Sequence, residues 1–251
     1  MRIDLNCDVG EGAGHDEALM PWISSANIAC GGHAGDDDTM RATIALARRH
    51  GVAIGAHPGH DDRARAGRRA IAIGPAAAAD LVLAQVGRLA ALAGETLHHV
   101  KLHGALYHQA EADAALAAAI VAALGREHPR LVVYALAGGR FAAAARAHGL
   151  AVADEAFLDR AYTDSGALVP RGDPGALLHD PEAGAARAVE IASGGRVRSA
   201  SGRDLAIRAA TLCIHGDGRD PLGIARAVRL ALDAAGIRVT AAAGSPAEAR
   251  G

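Results

Sequence analysis

Seven short β-like runs recur along this chain, and several end in polar or charged residues: "RIDLNCD" (2–8), "ANIAC" (26–30), "VAIGAH" (52–57), "HHVKLH" (98–103), "LVVYAL" (131–136), "LAVADE" (150–155) and "TLCIHGD" (211–217). Between them lie Ala-rich stretches of high helix propensity, near 37–50, 75–93, 112–126, 138–148, 181–193 and 220–235. Pro75, Pro181 and Pro221 mark helix starts, where a missing N–H costs little, and Gly51, Gly94, Gly125, Gly149 and Gly194 mark helix ends. Alternation of this kind implies parallel strands joined by crossover helices. The segment 156–180 is the longest irregular stretch and reads as a lid.

Parallel strands covered by helices on both faces are normally apolar throughout. Here period two places Asp4, Asn6 and Asp8 on one face of the first strand and Ile3, Leu5, Cys7 and Val9 on the other. His99, Lys101 and His103 align in the same way, as do Cys213, His215 and Asp217. An open doubly wound sheet would leave these groups unpaired under helices, whereas a closed barrel collects them in one interior with its mouth at the C-terminal strand ends. The pattern predicts one α/β domain over residues 1–251, a TIM-like barrel of seven rather than eight βα units, with the doubly wound sheet as the alternative.

Composition removes several function classes. A net charge of -2 with mixed signs provides no basic stripe for nucleic acid. No apolar run such as "LAAAIVAAL" (116–124) approaches the roughly 20 residues of a membrane span, and the first residues lack a signal-peptide pattern. Neither nucleic acid nor membrane is expected as a partner. Three cysteines without CxxC spacing argue against a disulfide framework, so a reducing cytoplasm is the expected compartment. Aromatics at 2% leave little stacking surface for bases or sugars.

The chemistry gathers at the predicted strand ends. Asp8 and Glu11 flank a glycine turn after the first strand; His33 and Asp36 sit in a glycine loop after the second; His57, His60, Asp61 and Asp62 follow the third. Lys101 and His103 end the fourth, Glu155 the sixth, and His215 with Asp217 the seventh. Each alone could be a solvated strand end, but together on one rim they point to an enzyme, because crowded ionisable groups in a concave site shift one another's pKa values. Lys101 is the single lysine among 26 basic residues. An ammonium there could stabilise an oxyanion or phosphoryl oxygen, while His103 moves a proton. A Walker loop is excluded by the lysine count, and neither HExxH nor GxSxG occurs. Arg68-Arg69 reads equally as a solvated pair or an anion clamp.

The stretches "DLNCDVGEG", "SSANIACGGHAGD", "GVAIGAHPG", "VKLHGALYHQA", "DEAFLDRAY", "LVPR" and "TLCIHGD" together resemble the LamB/YcsF lactam-utilisation family, whose members are also described as the A subunit of 5-oxoprolinase, over essentially the whole chain. That resemblance implies a barrel similar to glycoside hydrolases and carbohydrate deacetylases. It also implies ATP-dependent opening of 5-oxo-L-proline to L-glutamate together with subunits B and C. The family's motif positions fall on Asp4, Asn6, Asp8, Glu11, Asn27, His33, Asp36, His57, Asp62, Lys101, His103, Tyr107, Asp159, Arg160, Arg171, His215 and Asp217. Departures stand at Gly32, His60-Asp61, Arg65-Ala66 and Leu102, where the family has Phe, Tyr-Pro, Gly-Phe and Pro.

From the resemblance and the rim together, Asp8, His57, Lys101, His103 and Asp217 are the expected catalytic residues. Asp4, Asn6, Glu11, Asn27, His33, Tyr107, Arg160 and His215 are the expected substrate-binding residues. Lys101 and Arg160 would neutralise oxyanion charge, worth about 3 kcal/mol for one good donor, and Asp8 with His57 or His103 would handle protons. ATP is the expected cofactor, at an unassigned location. Two other readings are a metal-dependent amidohydrolase acting alone, with a divalent ion on Asp8, His57 and His103 or His215, and a non-catalytic scaffold subunit.

Overall fold

A computed structural model describes residues 1–243; residues 244–251, the end of the expected 1–251 domain, lie outside the described residues. The element order is β1 (Arg2–Val9), α1 (Asp16–Leu19), β2 (Ser25–Ala29), α2 (Asp37–His50), β3 (Ala53–His57), α3 (Pro75–Ala93), β4 (Leu97–Lys101), α4 (Gly104–Ala112), α5 (Ala114–Glu127), β5 (Val132–Leu136), α6 (Arg140–Ala147), β6 (Val152–Phe157), α7 (Pro181–Gly194), β7 (Arg196–Arg198), β8 (Asp204–Ala206), β9 (Thr211–His215), α8 (Pro221–Ala234) and β10 (Arg238–Val239). Strands β1 to β6 and β9 pair in parallel in that order, and β1 pairs in turn with β9, so the seven staves close into a ring. Closure overturns the doubly wound alternative. Short β10 lies beside the first residues of β1, with Arg2 opposite Arg238 and Ile3 opposite Val239. The antiparallel pair β7–β8 stands apart from the barrel.

The apolar face of each stave points outward and merges with the helices into one large cluster. Leu5, Cys7 and Val9 of β1 share it with Met40 and Ile44 of α2 and with Ile224, Val228 and Leu232 of α8. The main hydrophobic core is therefore the annulus between strands and helices, leaving the barrel interior to the polar face. A small separate cluster of Val132, Tyr134, Ala153 and Ala242 closes the N-terminal end.

Helix boundaries follow local chemistry. The side chains of Asp36, Asp113, Asp180 and Asp220 accept backbone N–H bonds at the starts of α2, α5, α7 and α8. Pro75, Pro181 and Pro221 occupy first turns as the sequence predicts. Gly51 caps α2 in the left-handed conformation at φ 66°. Two expectations differ. Gly125 lies inside α5, which runs on to Glu127 and is capped by His128. The residues after His103 form α4, absent from the sequence reading, before α5 begins at Ala114. The stretch Pro75–Thr96 has a mean hydropathy of 1.5 over an 18-residue window, long and apolar enough to pass for a membrane span. Its Val82, Val86 and Leu89 are buried, and α3 packs on α5 and β3 as the outer layer of the barrel.

Candidate active site at the barrel mouth

The interior fills in tiers. At the N-terminal end Asp4 accepts bonds from Ser24 (2.5 Å), Ser25 (2.8 Å) and Thr211 (2.6 Å), and Ser25 is 3.1 Å from the Tyr134 hydroxyl. Burial pushes the Asp4 carboxyl above its ordinary pKa, opposed by these hydroxyl donors. One tier higher, Asn6 donates to Glu155 (3.1 Å) and Thr211 (2.7 Å), Asn27 donates to Asn6 (2.7 Å) and Asp8 (2.8 Å), and His99 lies 2.8 Å from the Asn27 carbonyl oxygen. Gly55 admits this tier: a Cβ there would stand 2.0 Å from His99 Nε2. Asp4 thus belongs to the floor rather than to the substrate-facing surface.

The lone lysine occupies the next tier. Lys101 is 2% exposed, and its Nζ lies 3.0 Å from Asp8, 2.9 Å from Glu155, 3.2 Å from the Asn6 carbonyl oxygen and 2.9 Å from Cys213 Sγ, with the Phe157 ring centroid 5.4 Å away. Three ammonium protons reaching acceptors in divergent directions suit lysine, whereas a planar guanidinium fork does not. Burial alone would lower the Lys101 pKa, but Asp8, Cys213 and Glu155 reverse this and hold it well above its ordinary value. Burial likewise opposes ionisation of Asp8, and the neighbouring His57 and the Lys101 ammonium outweigh it, so that this carboxyl is held well below the usual range. The Cys213 thiol is pushed up, chiefly by burial, and serves as a neutral acceptor.

Above this tier the loops deliver imidazoles. His57 ends β3 and places Nε2 3.3 Å from Asp8, and His103 caps α4 with Nδ1 2.9 Å from that same nitrogen. Glu11, on the turn after β1, lies 3.1 Å from His33 and 3.3 Å from His103. His33 and His103 stack with centroids 3.7 Å apart. His215, at the end of β9, is fixed by Asp159: Nδ1 lies 2.8 Å from the carboxylate, which also accepts the His215 backbone N–H at 3.1 Å. Burial opposes the Asp159 charge, but His215 outweighs it and holds the carboxyl low. The other ring nitrogen of His215 faces Asp8 at 3.9 Å. Tyr107 donates to Glu155 at 3.0 Å.

These groups surround a cavity of about 460 Å³, lined among others by Asp8, His57, Lys101, His103, Tyr107, Arg160 and His215, within the range of about 300–1,000 Å³ usual for small-molecule sites. Leu168, Pro170, Arg171 and Gly172 form part of its wall, so the segment read as a lid does border the mouth. Strand β6 extends to Phe157, and the bridges Arg160–Leu177 and Tyr162–Leu168 give the following loop partial order.

The structure thus brings together Asp8, Glu11, His33, His57, Lys101, His103, Tyr107, Arg160 and His215, with Asn6 and Asn27 directly beneath. Asp217 does not join them: it lies past Gly216, ion-paired with Arg68 and, at 3.4 Å, with Arg171. Arg69 pairs with Asp62 at 3.3 Å, and Asp36 serves as a helix cap. Glu155, Asp159 and Cys213 are additions to the expected catalytic and binding residues. Alternation already placed Glu155 and Cys213 with the polar strand ends and the family motif includes Asp159, but only the fold brings Asp159 to His215. The departure positions are also placed. A Cβ on Gly32 would approach Gln85 Nε2 to 2.6 Å, and the Ala66 carbonyl accepts from His103 at 2.8 Å.

Known proteins resemble this chain in sequence and fold. The family model described as "LamB/YcsF family" matches residues 3–247. The chain is 51% identical over 248 residues to the A subunit of 5-oxoprolinase from Bordetella pertussis, covering 96% of this chain and 98% of that one. It is 48% identical to the corresponding 5-oxoprolinase chain of Heliobacterium modesticaldum, covering 96% and 98%. The crystal structure of the lactam utilization protein from Thermus thermophilus superposes with a TM-score of 0.90 at 44% identity, covering 96% of this chain and all (100%) of that one. A family 4 carbohydrate esterase from Streptomyces lividans shares the fold alone, with a TM-score of 0.50 at 10% identity over 95% and 91% of the two chains.

Proposed function

Because the chain belongs to the LamB/YcsF family, we propose that it is the A subunit of a 5-oxoprolinase, a cyclic-amide hydrolase that opens 5-oxo-L-proline to L-glutamate with hydrolysis of ATP. In this reading it works in the cytoplasm with subunits B and C. The observation that carries the reading within this structure is the buried Asp8–Lys101–Glu155 group beneath a small cavity whose rim carries the Asp159–His215 pair.

A five-membered lactam is a resonance-stabilised amide, so its carbonyl must be activated before water attacks. ATP supplies that activation by phosphorylating the lactam oxygen. No lysine is left for a Walker loop, and the arginines Arg68 and Arg171 at the mouth are already paired with Asp217. A first water adds to the phosphorylated ring carbon and the C–N bond breaks, so the ring nitrogen leaves as the amine of glutamate and an acyl phosphate remains; a second water hydrolyses that acyl phosphate to the carboxylate and phosphate. Ring opening itself requires two proton movements: one from the first water and one to the nitrogen. His215 suits both, because Asp159 fixes the Nδ1–H tautomer and leaves Nε2 as an acceptor toward the cavity. Lys101 has all its protons engaged, and its main role is to keep Asp8 ionised beside the reacting centre. Arg160, 3% exposed and donating to the Val169 carbonyl at 2.7 Å, presents a fixed positive charge to the cavity.

The test is glutamate release from 5-oxoproline, assayed for the chain alone and with subunits B and C, each with and without ATP. Turnover only in the complete, ATP-supplied mixture, abolished by His215→Asn with unchanged circular dichroism, is the expected result. Full turnover by the chain alone without ATP overturns the reading and favours an independent amidohydrolase. Full turnover of His215→Asn in the complex removes His215 from the mechanism, and full turnover of every strand-end variant, Asp8, His57, Lys101 and His103 included, leaves only a scaffold role.

A further inference from the structure

We infer that Glu11, His33, His57 and His103 form a binding site for one divalent transition-metal ion. The reaction proposed above does not depend on this ion. Backbone carbonyls force the hydrogen positions in the cluster. His57 Nδ1 lies 2.8 Å from the Lys101 carbonyl oxygen, and His103 Nε2 lies 2.8 Å from that of Ala66. A carbonyl only accepts, so each of these nitrogens carries the hydrogen. The other two ring nitrogens, His57 Nε2 and His103 Nδ1, then point bare lone pairs at one another across 2.9 Å. The carboxylates around them are acceptors too: Asp8 lies 3.3 Å from His57 Nε2, and Glu11 lies 3.3 Å from His103 Nδ1 and 3.9 Å from His57 Nε2. Acceptors facing acceptors repel unless a cation sits among them.

The nearby charges do not supply one. Lys101 is committed to Asp8 and Glu155, and the ion-pair partners of Glu11 among the described residues are the three histidines. A carbonyl behind the ring, fixing the tautomer, is how proteins aim histidine ligands at a metal. The spacing agrees: four ligands at about 2.05 Å around a tetrahedral ion would lie about 3.3 Å apart. The observed separations of 2.9, 3.1, 3.3 and 3.9 Å bracket that value, and all four donor atoms lie within 4.8 Å of one another. Three imidazoles and a carboxylate favour a borderline ion such as Zn²⁺ or Co²⁺ over Ca²⁺ or Mg²⁺.

The site is built in advance. Its ligands come from the C-terminal ends of four successive staves, β1 to β4. Glycines crowd the rings: a Cβ on Gly59 would come within 3.0 Å of both His33 Nδ1 and His103 Cβ, and one on Gly67 within 2.8 Å of His33 Cβ. Among the described residues His33 Nδ1 is buried without a hydrogen-bond partner, so stacking and the inward nitrogen are what hold that ring. A second group, Asp8, Cys213 and His215, is a weaker candidate because Lys101 already donates to the Cys213 sulfur. A bound ion would offer its positive charge to the cavity beside Asp8 and His215.

The test uses untagged full-length chain, stripped with a chelator and titrated with Zn²⁺ by calorimetry and with Co²⁺ by visible absorption, alongside metal analysis of the protein as purified. One equivalent bound, the intense bands of four-coordinate cobalt, and a loss of affinity by more than about 100-fold in His103→Phe and Glu11→Gln are expected. His148→Ala, at an exposed histidine outside the cluster, should bind as the unaltered chain does. Nitrogen-15 NMR of the unaltered protein supplies a readout independent of any variant: His57 Nε2 and His103 Nδ1 should shift on zinc addition while their partner nitrogens stay protonated. Substoichiometric binding, no cobalt bands, and a proton found on either inward nitrogen would overturn the site and assign the missing cation to a shared proton. Because metal is counted directly, failure here is separate from failure of lactam turnover.

Discussion

Replacing Lys101 with methionine tests the electrostatic core of the molecule. The substitution keeps an unbranched apolar side chain and deletes one charge from between Asp8 at 3.0 Å and Glu155 at 2.9 Å, both buried. Removing one partner of a buried ion pair leaves an uncompensated charge and costs about 3–5 kcal/mol. At a urea dependence of about 2–3 kcal/mol/M, the unfolding midpoint should fall by roughly 1–2 M, read from the fluorescence of the single tryptophan, Trp22. The pH dependence carries the sharper sign. In the unaltered chain the Asp8 pKa is held below its unfolded value. Its stabilisation is therefore present above the ordinary carboxylate range and lost only as pH falls through the depressed folded value. Without the ammonium one of the groups that hold the Asp8 pKa down is gone, so that pKa rises and the variant's deficit relative to the unaltered chain grows as pH rises through the raised value. Lys101→Met should thus recover stability relative to the unaltered chain when pH is lowered from about 8 to about 5. A loss under about 1 kcal/mol with no such recovery would refute the reasoning, because it would mean that the two carboxylates are solvated or protonated already.

Three other perturbations have defined outcomes. Asp159→Asn should retain the fold but lower turnover of the reconstituted complex by about 10²–10⁴-fold, since the amide no longer enforces the His215 tautomer; nitrogen-15 shifts of His215 report the tautomer directly. Gly55→Ala would drive a methyl to 2.0 Å from His99 Nε2, inside the packed barrel. It should destabilise by at least about 1–3 kcal/mol in urea melts and disturb the Asn27 contact. Asp113→Ala removes the cap whose carboxylate accepts from Ala115 and Leu116 at 2.8 and 3.2 Å. A loss of about 1 kcal/mol without any change in turnover is expected.

Much of this architecture is written in the period-two pattern. Asp4, Asn6 and Asp8 do share the barrel interior, and the run of polar strand ends does mark one mouth. Alternation reports which face a residue occupies, but not how deep along the axis it lies. Asp4 and Asp8 are four residues, or about 13 Å, apart along a strand, so one is sealed in the floor and the other borders the cavity. Asp217 lies off this column for a related reason: the strand ends at His215, and two residues further the chain has turned toward Arg68 and Arg171. Helix α4 escaped notice because the extended reading ran on through His103, whose successor Gly104 takes φ 53° and pivots the chain directly from stave to helix. The Asp159–His215 contact joins residues 56 positions apart, and no local pattern encodes it.

The polar column inside the ring has an evolutionary consequence. From Thr211 and Asp4 through Asn6 and Asn27 to Asp8 and Lys101, each group's orientation depends on the one beneath it. Damage at the rim can therefore be compensated from below. Selection for revertants of a weakened Asp8 or Lys101 variant should recover changes at Ser25, Thr211 or Tyr134, residues a substrate never meets.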